Sequence, residues 1–228
     1  MVPITPGKKA LMPSKPQSTL VQCDFDGTVT IGDVSFQILD KFTGDDWRQL
    51  FEEYMQGKMS VNRFNAAVFS KVKADRETLE RFVREKTVMR PGFSELLSTC
   101  RERGFRFVIV SNGMMFYIDT ILKMLGMNEV EFVAARANFK PEGVEAWYEG
   151  PDGQPVEDGF KEAYTRHFLK QGYRIIYIGN GSSDFPPARL CSHIFSIDNL
   201  TASCKSAGVT CTPFTTLHEV AEVLKKLN

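Results

Sequence analysis

The chain has 228 residues, and its 28 Lys and Arg residues balance its 28 Asp and Glu residues, so its formal net charge is zero at pH 7. A chain of this length can bury one large core, and a balanced charge gives no electrostatic reason to expect nucleic acid or an anionic membrane as a partner. The five cysteines are odd in number and form no C-x-x-C pair, which argues against a disulfide framework or a zinc site. We therefore expect a globular, cytoplasmic protein with reduced thiols and a small solute as its partner.

The chain begins with a segment rich in proline and lysine, residues 1–18, which we expect to be a flexible tail. It contains no apolar stretch suited to a secretory signal, and nothing later approaches the roughly 18 continuous apolar residues of a membrane span.

The next segment, VQCDFDGTVT, places Asp24 and Asp26 directly after an apolar run. Two carboxylates at the end of a buried strand are unfavourable unless something holds them, and a metal ion would do so. The simpler interpretation is an ordinary turn whose aspartates cap the next segment.

Helical periodicity without a convincing strand fills residues 33–88, which we interpret as a helical cap inserted above the strand ends. Elsewhere, apolar runs of strand length alternate with helical patterns that end on glycine, and the strands are predicted at 20–25, 105–111, 173–179 and 193–197. This alternation predicts an α/β fold with a Rossmann-like, doubly wound parallel sheet and a ligand site at the carboxyl ends of its strands. The core would comprise residues 19–32 and 89–228, with a hairpin-like excursion at 130–158.

Several polar residues suited to phosphate chemistry follow the later strands or begin a helix; they are Ser111, Asn112, Gly113, Lys161, Asn180 and Asp184. The first three offer a hydroxyl and adjacent backbone N–H groups, which can hold phosphoryl oxygens. Lys161 can neutralise an anionic substrate, although a lone lysine is more often a solvated surface residue. Asn180 and Asp184 supply oxygen donors of the kind that magnesium prefers.

In order and spacing, DFDGT, VIVSNG, Lys161 and GNGSSD resemble the four motifs of the haloacid dehalogenase-like phosphohydrolases, from about residue 20 to the C-terminus. The inserted helices resemble those of the phosphoserine-phosphatase-like branch, and GFSELLSTCRERGFRFVIVSNGM resembles the methionine-salvage phosphatases that act on a methylthio-pentenyl phosphate. The resemblance implies a Mg²⁺-dependent phosphatase that hydrolyses a small phosphate monoester through an aspartyl-phosphate. A phosphotransferase or mutase of the same superfamily is the alternative.

The resemblance also implies a role for each matching residue. Asp24 would attack phosphorus, and Asp26 would protonate the leaving alcohol and then activate water. Mg²⁺ would be held by the side chains of Asp24 and Asn180 and by the backbone carbonyl of Asp26, with Asp184 placing its water shell. The phosphoryl oxygens would be bound by Thr28, Ser111, Asn112, Gly113 and Lys161.

Two positions depart from the family pattern. The fourth motif usually begins with an aspartate, and Asn180 there should weaken metal affinity or activity by about 10–100-fold; a weakly active regulator that binds a phosphorylated ligand is therefore another alternative. Asp33 lies near a cap glutamate of phosphoserine phosphatases and is a candidate for substrate specificity. The position of their cap arginine falls at residues 66–68, which are Ala-Ala-Val here, so phosphoserine is a poor candidate.

We expect the partner to be a small phosphorylated metabolite, with no nucleic acid and no membrane, and the protein to be a monomer or homodimer. The aromatic residues of the insertion are expected to form the core of the cap rather than a substrate wall. They are Phe36, Trp47, Phe51, Tyr54, Phe64 and Phe69.

Overall fold

The computed structural model describes residues 18–44 and 47–227, so the predicted flexible tail lies outside the described residues except for Ser18. The strands are β1 (Thr19–Cys23), β2 (Thr30–Ile31), β3 (Val88–Met89), β4 (Arg106–Met114), β5 (Glu131–Lys140), β6 (Gly143–Trp147), β7 (Arg174–Gly179), β8 (His193–Ser196) and β9 (Thr212–Pro213). The helices are α1 (Val34–Phe42), α2 (Trp47–Met55), α3 (Val61–Phe69), α4 (Arg76–Lys86), α5 (Phe93–Glu102), α6 (Met115–Met124), α7 (Phe160–Lys170), α8 (Phe185–Ala188), α9 (Asp198–Ser206) and α10 (Leu217–Leu224). Within these ranges no helix is long and apolar enough to cross a membrane.

Within the described residues, seven strands form one sheet in the order β6-β5-β4-β1-β7-β8-β9, and all neighbours are parallel except β5 and β6. All five residues of β1 are buried, as expected for a central strand covered on both faces. Cys23 at the end of β1 is level with Ile109 of β4 and Ile178 of β7. The predicted doubly wound sheet is confirmed, and its register brings the segments that follow these three strands to one edge.

Helices α1 to α4 are inserted between β2 and β3, which pair antiparallel at the base of the insertion. The sequence did not predict this pair, because strands of two residues are too short to show alternation. Three of the inserted helices begin at a side-chain cap: Asp33, Ser60 and Asp75 each accept a hydrogen bond from the backbone N–H three residues later. The helices agree with the periodicity of residues 33–88, while the boundary between core and cap stays our interpretation.

The hairpin-like excursion expected at 130–158 is part of the main sheet. β5 pairs with β6 as a hairpin, but it also lies parallel to β4, and this second pairing was not apparent from the sequence. β6 in turn lies against the end of α3. The approach is close, since a Cβ added to Gly143 would come within 1.8 Å of the Ser70 carbonyl oxygen. The insertion therefore rests on the edge strand of the sheet, at a point where only glycine permits the approach.

Candidate active site

A buried cluster of charged side chains lies beyond the ends of β1 and β7. Oδ1 of Asp24 lies 2.6 Å from Nζ of Lys161, and the same Nζ lies 2.7 Å from Oδ1 of Asp184. None of these side chains is more than 5% exposed. Burial alone would lower the pKa of Lys161, but the Asp184 and Asp24 carboxylates outweigh burial and raise that pKa, so the ammonium keeps its charge. Lys161 is therefore not a solvated surface residue.

Asp184 organises the loop after β7 as well as the lysine. Its Oδ1 accepts a hydrogen bond from Tyr177 Oη at 2.7 Å. Its Oδ2 accepts hydrogen bonds from the backbone N–H of Asn180 at 3.0 Å and of the next residue at 2.8 Å. Gly179 permits this packing, because a Cβ there would lie 2.7 Å from the carboxyl carbon of Asp184. Both oxygens of this carboxylate are thus used to fix Lys161 and the loop that contains Asn180.

The Asp26 carboxylate has partners from two separate helices. Its Oδ1 accepts a hydrogen bond from the backbone N–H of Val34 at the start of α1, at 3.0 Å. Its Oδ2 accepts a hydrogen bond from Tyr117 Oη on α6, at 2.5 Å. Tyr117 is fully buried, and burial together with the Asp26 carboxylate raises the pKa of its hydroxyl well above the usual value. The hydroxyl therefore keeps its proton and remains a donor to Asp26.

Burial raises the pKa values of three carboxyl groups at this site, those of Asp24, Asp26 and Asp33. For Asp24, desolvation and the nearby Asp184 carboxylate outweigh Lys161 and raise the pKa to about 7. For Asp26, desolvation and the charge of Asp33 raise the pKa to about 8 in spite of two hydrogen bonds that it accepts. Burial raises the pKa of Asp33 to about 6. A carboxyl group such as Asp26 can give up and take back a proton near neutral pH, which general acid–base chemistry requires.

The Thr28 hydroxyl connects Asp24 with Asn180. Thr28 Oγ1 is 3.4 Å from Asp24 Oδ2 and 3.3 Å from Asn180 Oδ1. Across the described residues, no three His, Cys, Asp or Glu side chains are arranged to hold a metal ion, so a cation here would need the Asn180 amide oxygen and a backbone carbonyl as well as Asp24. This all-oxygen donor set fits a hard divalent cation such as Mg²⁺. Gly27 makes room for the Asn180 side chain, because a Cβ there would lie 2.1 Å from Asn180 Nδ2.

The Ser-Asn-Gly segment falls where the pairing of β4 with β5 shifts register. Ser111 is buried, and its Oγ accepts a hydrogen bond from the backbone N–H of Gly113 at 3.0 Å. The Asn112 side chain is directed to the insertion instead: its Nδ2 donates to Asn62 Oδ1 at 2.9 Å, and its backbone carbonyl accepts from Asn65 Nδ2 at 2.8 Å. The Asn112 side chain and carbonyl therefore hold the insertion, and a contact of its backbone N–H with a phosphoryl group stays a prediction.

Comparison with known proteins identifies the family. Residues 21–189 of the chain match the haloacid dehalogenase-like hydrolases. The chain belongs to this family. The resemblance inferred from the four motifs is confirmed, and the motifs that carry it are those that meet at the edge of the sheet.

Relatives of this haloacid dehalogenase-like hydrolase include proteins named 2-hydroxy-3-keto-5-methylthiopentenyl-1-phosphate phosphatase. The one from Exiguobacterium sp. is 26% identical, over 92% of this chain and 99% of the relative. The one from Bacillus velezensis is 29% identical, over 90% of this chain and 88% of the relative. The hydrolase is an enzyme of the phosphoric monoester hydrolase class.

The fold is similar to that of phosphoserine phosphatases. A structure described as a phospho-aspartyl intermediate analogue of phosphoserine phosphatase matches with a TM-score of 0.70 at 18% identity, over 91% of this chain and 99% of that one. The phosphoserine phosphatase of T. onnurineus matches with a TM-score of 0.68 at 21% identity, over 96% and 100% of the two chains. At these identities the likeness concerns the fold of the hydrolase and not its substrate.

The hydrolase encloses a cavity of about 400 Å³ above Asp24, Asp26 and Lys161. The opposite wall is largely apolar and comes from the inserted helices: it includes Phe36, Phe51, Tyr54, Met55, Val61 and Phe64. Four of the six aromatic residues expected to form the cap core therefore also line the cavity. Their rings contact one another as a core would, with the Phe36 and Phe51 centroids 5.1 Å apart, while their other side faces the cavity.

The predicted specificity residue Asp33 lines the same cavity. It is half-buried, and its Oδ1 accepts a hydrogen bond from the backbone N–H of Phe36 at 2.9 Å. Its carboxylate therefore has a structural task as the cap of α1 as well as a place in the cavity wall. A role in specificity stays a prediction.

Sequence reasoning missed the side chains that hold the catalytic candidates in place. They include Ser35, Asn65, Arg90, Tyr117 and Tyr177. The buried guanidinium of Arg90 donates to the backbone carbonyls of Gly27, Thr28 and Thr215, and so fixes the loop after β1. A tyrosine within the apolar helix MFYIDTILKM, six residues after Ser111, was a signal that could have marked Tyr117.

Proposed function

We propose that the protein hydrolyses the phosphate monoester of a small metabolite through an aspartyl-phosphate on Asp24, with Mg²⁺ as its cofactor. One observation supports this proposal above the others. A buried, charged Lys161 lies 2.6 Å from Asp24 on the sheet edge where Asp26 and Ser111 also meet. A carboxylate nucleophile, a proton donor and a cation for the phosphoryl group are the groups that this reaction needs in one place.

The reaction has two halves. In the first, an Asp24 carboxylate oxygen forms a bond to phosphorus, the bond from phosphorus to the leaving oxygen breaks, and Asp26 gives its proton to the departing alcohol. In the second, Asp26 takes a proton from water as the water oxygen bonds to phosphorus and the bond from phosphorus to Asp24 breaks, which releases inorganic phosphate. Asp26 thereby returns to its protonated form and Asp24 to its carboxylate.

The groups around Asp24 bind the phosphoryl oxygens. Lys161 would supply positive charge, and the Ser111 hydroxyl and the backbone N–H of Asn112 would donate hydrogen bonds. The backbone N–H of Gly113 donates to Ser111 Oγ at 3.0 Å and would orient that hydroxyl. Thr28 adds a hydroxyl next to the nucleophile. Mg²⁺, when held by Asp24, the Asp26 carbonyl and Asn180 with Asp184 behind them, would neutralise negative charge that develops on the phosphoryl oxygens. Since phosphoryl transfer depends mainly on positioning and charge, these contacts supply most of what catalysis requires.

The wall of the cavity supports a leaving group with an apolar portion and no negative charge. Within the described residues, no Lys or Arg of the inserted helices lines this cavity. Arg63 lines an adjoining cavity of about 660 Å³, and its guanidinium there is paired with Glu157 at 2.7 Å. Arg90 does line the cavity of about 400 Å³, but its guanidinium already donates to three backbone carbonyls. The carboxylate of phosphoserine would have no cation to pair with beside Phe51 and Phe64, whereas a thioether tail would bury apolar surface there. A methionine-salvage type of substrate, such as the one in the names of the relatives, suits this wall.

A panel of phosphate monoesters assayed with magnesium tests the proposal. The panel contains a methylthioalkyl phosphate, phosphoserine, phosphoethanolamine and a sugar phosphate, and Asp24→Asn is the control. We expect release of inorganic phosphate that requires magnesium, disappears in Asp24→Asn, and is fastest with the methylthioalkyl phosphate. No release above the control would refute the phosphatase, and transfer of phosphate to an added alcohol in preference to water would identify a phosphotransferase. A preference for phosphoserine would refute the argument from the apolar wall.

A further inference from the structure

The Asp26 carboxylate is hydrogen-bonded to the first of two linked hydroxyl groups. Neither hydroxyl has a part in the roles described so far. Tyr117 Oη lies 2.5 Å from Asp26 Oδ2, and Ser35 Oγ lies 2.9 Å from the same Oη. Tyr117 is fully buried and Ser35 is 5% exposed, so water does not replace these hydrogen bonds. A buried chain of hydroxyl groups of this kind fixes the orientation of the group at its end.

The contact to Tyr117 depends on a glycine. A Cβ added to Gly113 would lie 1.9 Å from Tyr117 Oη and 2.3 Å from Asp26 Oδ2. The chain therefore leaves an opening at Gly113 through which the tyrosine hydroxyl reaches the carboxylate. Gly113 has an ordinary backbone conformation, since it is absent from the residues with positive φ, so the approach and not the turn explains the glycine.

Two further hydrogen bonds, one to Asp26 and one to Tyr117, come from the inserted helix α1. The backbone N–H of Val34 donates to Asp26 Oδ1 at 3.0 Å, and Ser35 follows in the first turn of α1. Tyr117 belongs to α6, which follows β4 in the sheet domain. Asp26 is consequently held from both parts of the molecule, and its orientation is complete only when α1 lies where it does in this structure.

We propose that Tyr117, supported by Ser35, is a positioning residue that aims the Asp26 carboxyl at the oxygen of the leaving group. This inference rests on the proposed function, in which Asp26 gives its proton to that oxygen as the bond to phosphorus breaks. Without the tyrosine hydroxyl, Oδ2 loses its donor and the carboxyl group can rotate away from the reacting oxygen. Asp24 and Lys161 would be unaffected, because the hydrogen bonds of Tyr117 go to Asp26 and Ser35. Tyr117 packs against Gly113, whose backbone N–H is fixed separately by Ser111 Oγ.

The leaving group separates this role from a general effect on structure. The alkoxy group of an alkyl phosphate leaves as an alcohol only if a proton reaches its oxygen, so this substrate needs a correctly aimed Asp26. The leaving group of p-nitrophenyl phosphate departs as a stable phenolate and needs no proton. The value of kcat/KM reports the steps up to the first irreversible one, which here is formation of the phosphoenzyme and loss of the leaving group. The ratio of kcat/KM for the two substrates therefore measures proton donation in the first half of the reaction.

The experiment measures kcat/KM of Tyr117→Phe for pentyl phosphate and for p-nitrophenyl phosphate with magnesium. We expect a fall of about 10–100-fold for pentyl phosphate, because a misdirected acid loses part of the roughly 100–10,000-fold that general acid catalysis contributes, and a fall of less than about 3-fold for p-nitrophenyl phosphate. Ser35→Ala should change the ratio in the same direction by a smaller factor. Tyr164→Phe is the matched control, because it removes a hydroxyl that donates to the Glu149 backbone carbonyl at 3.1 Å, outside the cavity.

Equal losses with both substrates, or no loss with either, would overturn the positioning role. Both substrates are measured on one sample, so a fraction of unfolded protein lowers both values and leaves the ratio unchanged. Wild-type protein without magnesium-dependent activity on either substrate would refute the proposed function itself. Wild-type activity with an unchanged ratio in Tyr117→Phe would refute only the inference about Tyr117.

Discussion

The Asp26 carboxyl group offers a direct test of the electrostatics of the site. Its pKa in the metal-free protein is about 8, compared with an ordinary value of 3.8, because it is buried close to Asp33. In the unfolded chain the pKa returns to its ordinary value, so between about pH 4 and 8 the folded state holds a proton that the unfolded state has lost. The contribution of this group to the free energy of unfolding therefore falls as the pH rises through that range. Asp26→Asn removes the titration and keeps the shape, since its amide can accept from Val34 and donate to Tyr117.

The magnitude follows from the number of pH units involved. One extra proton on the folded state changes the free energy of unfolding by about 1.4 kcal/mol per pH unit. From about pH 6 to about pH 8, wild-type protein should lose about 2 kcal/mol through Asp26, because half of the extra proton is already lost at the pKa of about 8. Asp24, with a pKa of about 7, adds a smaller loss in the same direction. Urea denaturation in EDTA at about pH 6 and about pH 8.5 measures both values, and Asp26→Asn should be the more stable protein at the higher pH.

The decisive quantity is the difference in unfolding free energy between Asp26→Asn and wild type. It should increase with pH in favour of the variant. Asp152→Asn makes the same substitution on an exposed turn and controls for the loss of a carboxylate elsewhere. A difference that stays constant between about pH 6 and about pH 8.5, or that shrinks, would refute the argument that burial raises the pKa of Asp26.

Three further substitutions test the surroundings of the nucleophile. Lys161→Met leaves two buried carboxylates without their cation, so urea denaturation at about pH 8 should show a loss of about 3–5 kcal/mol, and an unchanged midpoint would contradict the buried ion pair. Asn180→Asp adds a charged ligand and should lower the magnesium concentration for half-maximal activity by about 10–100-fold, whereas an unchanged magnesium dependence would place Asn180 outside the metal site. Gly113→Ala puts a methyl group 1.9 Å from the Tyr117 hydroxyl, so turnover of an alkyl phosphate should fall, and wild-type turnover would show that the close approach is unimportant.

The sequence predicted those site residues that directly follow a strand of the parallel sheet and carry a suitable polar group. Parallel strands end at the same edge of a sheet, so polar residues that directly follow apolar runs are expected to meet there. Asp24 and Asn180 follow this rule, and Thr28 Oγ1 lies within 3.4 Å of an oxygen of each. Lys161 was predictable for a related reason, because it stands in the first turn of a helix that begins after Gly159.

The contacts between distant elements were not predictable, because no local period or spacing encodes them. Tyr117 is 91 residues from its partner Asp26, and Asn112 is 50 residues from Asn62. Each of these side chains could satisfy its hydrogen bonds in many ways in an isolated helix or strand. Only the docking of the insertion on the sheet selects one partner, so the sequence did not predict that the Asn112 side chain holds α3.

Burial and an excess of negative charge connect the raised pKa values of this site with the proposed divalent cation. Asp24, Asp26 and Asp33 face one cavity, and the positive charge of Lys161 is already shared between Asp24 and Asp184. Repulsion and burial therefore favour protonated carboxyls in the metal-free protein, which is what the values of about 7 and about 8 express. A divalent cation would offset this excess and favour the carboxylate form of the nucleophile. An aspartate at position 180 would bind that cation more tightly but would add repulsion in its absence, so the proposed lower metal affinity of Asn180 and a more stable metal-free fold would have the same physical reason.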